Sequence, residues 1–116
     1  MKTFKAKKQL PKEQVAIIAE SVVRDHGILT IQDELDHQAL LGYRAQEDIR
    51  YTENELVRAA TAYLLHTVDF PGMSTWPFHP ESFKPGSRKR NLAKAGALIA
   101  AELNRINLLE EQGHAS

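Results

Sequence analysis

The chain has 116 residues, with 15 Lys and Arg against 15 Asp and Glu, and no cysteine. That length supports one domain with a real core and not two. A formal net charge of zero argues against whole-molecule attraction to nucleic acid or membrane, so sequence-specific DNA binding is not expected, and the lack of cysteine excludes disulfide frameworks, thiolate zinc sites and cysteine nucleophiles. No apolar run reaches the length of a membrane span, and none of signal-peptide length follows the basic start, so a cytoplasmic protein is expected.

Residues 1–10 read as a flexible basic terminus and 11–116 as a single helical domain. Pro11 suits a first helical turn, and Val15, Ile18, Ala19 and Val22 share a face before Gly27, which predicts a helix over about 11–26. Ile28 and Leu29 then link to a second helix, 30–41, capped by Thr30, lined by Ile31, Leu35 and Ala39 and ended by Gly42. Tyr43 to Tyr51 has no sustained period and reads as loop. Thr52 with Glu55 spells a capping box for a third helix, 52–67, with Leu56, Ala59, Ala60, Tyr63 and Leu64 inward. Pro77, Pro80 and Pro85 forbid a regular helix over 73–86, yet Trp76, Phe78 and Phe83 are too apolar for a free linker, so this strap must lie against something. Ser87 caps the last helix, 88–111, whose Leu92, Ala95, Ile99, Ile106 and Leu109 form a core stripe. The sum is an all-α bundle of about four helices with a packed strap.

The last helix carries a second face of Ala93, Ala97, Ala100 and Ala101, with Gly96 between the two faces. It can pack closely within the chain, against Leu56 to Leu64, or form a homodimer seam through 92–109. At its start Arg88, Lys89 and Arg90 occupy a first turn where the macrodipole is already positive, at a cost of about 0.3–1 kcal/mol per cation. Either a bound anion reverses that cost, with Asn91 and Lys94 converging on it, or acids such as Glu47, Asp48, Asp69 or Glu81 compensate the cations. Trp76, Phe78, His79 and Lys84 lie just upstream, so an aromatic face could stack a flat ring while the basic knot holds phosphate; the same aromatics also suit a lid on the core. Asp33 and His37 share a helix face with Glu34 and Asp36 beside them, which suits a solvated acidic surface, or a divalent metal if Glu55 or Glu102 joined them. No HExxH, G-x-S-x-G, P-loop or dinucleotide fingerprint occurs, and no catalytic residue, metal ligand or cofactor is assigned.

Residues from about 31 to 106 resemble a family of small phage and prophage accessory proteins. Its pattern runs E-R-x-R-Q-x-x-x-G-W-T-x-x-H-D-D-x-Y-x-x-x-E-L-x-x-A-A-x-x-Y, then W-P-W, W-W-K-P and R-R-x-L-V-K-A-G-A-L-I-x-A-E-I-x-R-L. Glu34, Gln38, Gly42, Asp48, Tyr51, Glu55, Leu56, Ala59, Ala60 and Tyr63 match the first part. Trp76, Pro77, Lys84, Pro85, Arg88, Arg90, Leu92, Lys94 to Ile99, Ala101, Glu102 and Arg105 match the rest. Tyr43, Phe78 and Phe83 replace tryptophans of the pattern, and His37 stands where arginine is usual. The resemblance implies phage origin and a conditional, non-virion role, which would place the protein in the host cell cytoplasm, and it supplies no catalytic residues. Two functional readings follow. One is a non-enzymatic module capturing an anionic ligand, such as a nucleotide signal of host defence, or the acidic surface of a host protein. The other is a small all-α, MazG-like, metal-dependent nucleotide pyrophosphohydrolase, which would need a magnesium cluster of acids from two helices.

Overall fold

The computed structural model describes residues 11–17 and 25–113; the predicted terminus 1–10, the inner face Ile18, Ala19 and Val22 of the first predicted helix, and the last three residues lie outside them. Residues 12–17 are helical. Four further helices follow, α1 (His26–Leu40), α2 (Ala45–Asp48), α3 (Glu55–Thr67) and α4 (Arg88–Glu111), with short 3-10 turns at Gly72–Ser74 and Pro80–Ser82. No strand occurs among the described residues, and the fold is all-α.

Gly27 does not end a helix. It lies in the first turn of α1, and Thr30 is no cap: its hydroxyl donates to the carbonyl of His26, one turn back, at 2.9 Å. α1 ends as predicted, because Gly42 takes φ 102° and the amides of Gly42 and Tyr43 turn back to the carbonyls of Ala39 and Gln38. The predicted loop 43–51 contains α2, one short turn that rests on α4. The Thr52 capping box is also replaced. Asn54, at φ 61°, precedes the helix, and the Glu55 carboxylate reaches back to the amide of Glu53 at 2.6 Å, so α3 starts three residues later. For α4 the expected bounds hold, with the Ser87 hydroxyl accepting from the Arg90 amide at 3.2 Å.

α3 and α4 form the central pair, with α1 and α2 laid on α4. Apart from Leu56 and Tyr63, every buried apolar residue among the described residues is an alanine: Ala59, Ala60 and Ala62 on α3, and Ala93, Ala95, Ala97 and Ala101 on α4. Small side chains let the two helices approach closely, so the alanine face turns inward. Of the predicted core stripe Ala95 is buried, Ile106 and Leu109 are half-buried and the larger residues near the start and middle are not. Leu92 and Ile99, expected in the core, are exposed, as are Val15, Ala39 and Leu64. Ile31 of α1 instead packs over Gly96, where a glycine leaves room for its side chain.

The strap closes over the core that Ala60 and Tyr63 of α3 form with Ala95 of α4, with Trp76 and Phe83 packed against it. Tyr63 meets Trp76 edge-on at 5.5 Å and Phe83 at 4.9 Å, and Phe78 bridges from Trp76 to Tyr51. The Trp76 indole donates to the His79 carbonyl and the Ser82 hydroxyl, both at 3.1 Å, which pins the second 3-10 turn.

Candidate functional site

The strap delivers the chain to the start of α4 through two local devices. Asn91 is almost wholly buried, accepting from the Gly86 amide at 2.7 Å and donating to the Gly86 carbonyl at 3.2 Å, so it locks the entry loop. The Tyr63 hydroxyl accepts from the Lys84 amide at 3.2 Å. Burial pushes the Tyr63 phenol up, opposed by that amide bond, while Glu34 adds to the rise and Arg90 opposes it.

The basic residues then diverge. Arg88 donates to the carbonyl of Thr67 at 3.0 Å, placing a cation on the negative end of α3. Arg90 pairs with Glu34 of α1 at 3.7 Å. Lys94 donates to the Lys84 carbonyl at 2.6 Å and lies 5.3 Å from the Tyr63 ring centre. Burial lowers the Lys94 pKa, as does Arg90, while Glu34 opposes them. The compensating acid is thus Glu34, only 7% exposed, and none of Glu47, Asp48, Asp69 or Glu81 pairs with these cations. Lys89 is exposed, without an ion pair among the described residues. The amides of Arg88 and Lys89 also find no acceptor among the described residues, since Ser87 satisfies those of Arg90 and Asn91.

Two clefts flank this helix start. One, of about 360 Å³, is lined by Thr30, Asp33, Glu34 and His37 of α1 and by Ser87, Lys89, Arg90 and Ala93. The other, of about 520 Å³, has an apolar floor of Ile31, Leu92 and Ala93 beneath Arg88 and Lys89. Lys89 borders both. Of the candidate residues read from the sequence, Arg88, Lys89 and Arg90 therefore come together at open surface. Trp76, Phe78, His79, Lys84, Asn91 and Lys94 line neither cleft, because the strap aromatics are occupied with Tyr63 and with one another. The sequence shows Asp33, Glu34 and His37 as an acidic face of α1 but not that this face walls the start of α4; the 30, 34, 37 spacing puts a hydroxyl, a carboxylate and an imidazole in line there.

A second charged cluster lies where α2 meets α4. Arg105 grips Glu102 with two bonds of 2.7 and 3.0 Å, and Glu55 acts on the same guanidinium. Asp48, 8% exposed, lies near Glu102. With Glu102 and Glu55 so engaged, neither joins Asp33 and His37, and no group of three or more His, Asp or Glu among the described residues is placed to hold a metal ion.

Across the site the pairings are Glu34 with Arg90, Tyr63 with Lys84, Lys94 and Trp76, and Glu102 with Arg105. Compared with known family models, with characterised proteins and with solved structures, the chain matches none. No helix among the described residues is long and apolar enough to cross a membrane.

Proposed function

We propose that the protein is a non-enzymatic binding module, of the phage accessory type its sequence resembles, that captures an anionic ligand at the start of α4. A nucleotide of the kind used in host-defence signalling fits that reading, and an acidic surface of a host protein would meet the same groups. The observation that carries it is Lys89, a cation with no ion-pair partner among the described residues, beside two amides that find no acceptor there, bordering a polar and an apolar cleft. Phosphate would take Lys89, the free amides and the exposed side of Arg90, while the apolar floor would accept a base. Glu34 and Asp33 on the facing wall favour a ligand that also offers hydrogen-bond donors, as a nucleobase amine does. Placement in the host cytoplasm and self-association through α4 belong to the same reading.

Calorimetry with ATP and dATP, with and without magnesium, tests it. Uptake is expected, with the nucleotide recovered intact. Lys89→Glu should abolish uptake while the helical circular dichroism persists; Arg88 and Arg90 are spared because they hold the Thr67 carbonyl and the buried Glu34. No uptake of any nucleotide defeats the nucleotide form of the reading. Recovery of nucleoside monophosphate and pyrophosphate would favour the metal-dependent pyrophosphohydrolase, whose acids would be sought among Asp48, Glu55 and Glu102.

A further inference from the structure

α4 is charged against its own dipole at both ends. Its first turn holds Arg88, Lys89 and Arg90 and no acid, while its last turn holds Glu110 and Glu111 and no base. Each misplaced charge at an exposed end is unfavourable. Within one copy Arg88 and Arg90 find partners, yet Lys89 and both glutamates have no ion pair or side-chain hydrogen bond among the described residues.

Between those ends the outward face of α4 is apolar. Leu92, Ile99 and Leu103 are 41%, 48% and 56% exposed, and Ile106 is half-buried. They fall at steps of seven, four and three residues, a spacing that keeps a seam facing a partner helix. Smaller residues of the same helix fill the intramolecular core, so Ile99 and Leu103 are left largely uncovered by the described residues of a single copy.

We propose that this face binds the same face of a second copy, antiparallel, about a two-fold axis crossing the middle of α4. The basic first turn of each copy then lies beside Glu110 and Glu111 of the other. A helix of 24 residues is about 36 Å long, so the two ends meet when the apolar middles overlap. The face is self-complementary, with a basic end, an apolar centre and an acidic end in line, and a two-fold pair satisfies both ends twice. A parallel pair would set cation against cation. The arrangement has an apolar centre and a charged rim, as protein interfaces usually do. It shares Lys89 and Leu92 with the ligand reading, but its test is separable, since the readout is mass in the absence of any ligand.

Sedimentation velocity on the full chain, from micromolar to submillimolar concentration at low salt, tests the proposal. The expected species has twice the 13.1 kDa mass of one chain. Ile99→Glu with Leu103→Glu should return it to a single chain with unchanged helical circular dichroism. Glu110→Lys with Glu111→Lys should weaken the dimer about tenfold, and adding Lys89→Glu should recover much of the loss. If the seam variant misfolds, the charge series decides alone. A wild-type chain that stays single throughout overturns the proposal, as does an assembly indifferent to the seam or a charge swap without rescue.

Discussion

Asp48 is buried where α2 meets α4 and makes no side-chain hydrogen bond. Burial raises its pKa above the ordinary 3.8; Arg50 works against this, and Glu47 and Glu102 add to it. The native state therefore holds the Asp48 proton more tightly than the unfolded chain does. Its contribution to stability is greatest when protonated, declines as pH rises from 3.8 through the raised value, and is constant above that. Asp48→Asn should consequently be more stable than the wild type at pH 7 in urea denaturation, and the gap should close below pH 3.8. An equal gap at both pH values would show that the carboxylate is solvated or paired in solution. The residue scale is also where sequence reading was least able to assign direction. Asn91 stands in a first turn beside three cations, and nothing in its neighbours announces that it turns inward to close a loop at Gly86.

At the scale of elements, starts and stops written in local chemistry were largely legible. Ser87 caps α4 and Gly42 ends α1 because each acts on amides or carbonyls within a few residues of itself. Thr52 failed for the same kind of reason. A left-handed Asn54 intervenes, and Glu55 spends its carboxylate on Glu53, leaving the box without its reciprocal bond. The first 3-10 turn of the strap reaches α3 through Gly72, where an added methyl would meet the carbonyl oxygen of Ala62 and the ring of Phe83. The carbonyl cannot move without disturbing α3. Gly72→Ala should therefore cost about 1–3 kcal/mol of stability in chemical denaturation, with loss of the near-ultraviolet signal of Trp76 preceding loss of helicity. A neutral substitution would mean that the strap is not seated on α3.

At the scale of the whole molecule, ligand capture and self-association draw on the same cation. Lys89 borders both clefts and, in the proposed pair, faces the acidic end of a second α4. The two events should be linked, and the linkage must be reciprocal. ATP at constant ionic strength is expected to weaken the dimer in sedimentation, and chain concentration to weaken apparent ATP affinity by the same factor. Independence of the two would place the nucleotide on Arg90 and away from Lys89.

By itself the sequence determined the all-α class, the strap held down by its aromatics, the bounds of α4 and the basic charge at its start, because periodicity, proline content and capping act over a few residues. Which face of α4 turns inward was decided by the tertiary structure alone. Both the aliphatic stripe and the alanine face have helical spacing, and only the close approach of α3 selects the smaller side chains. The partners of the basic knot were decided in the same way. Glu34 and the Thr67 carbonyl lie 56 and 21 residues from Arg90 and Arg88, on elements that meet only once the bundle has formed. The Trp76 strap is likewise committed to Tyr63 by packing, which leaves the open chemistry at Lys89 between α1 and α4.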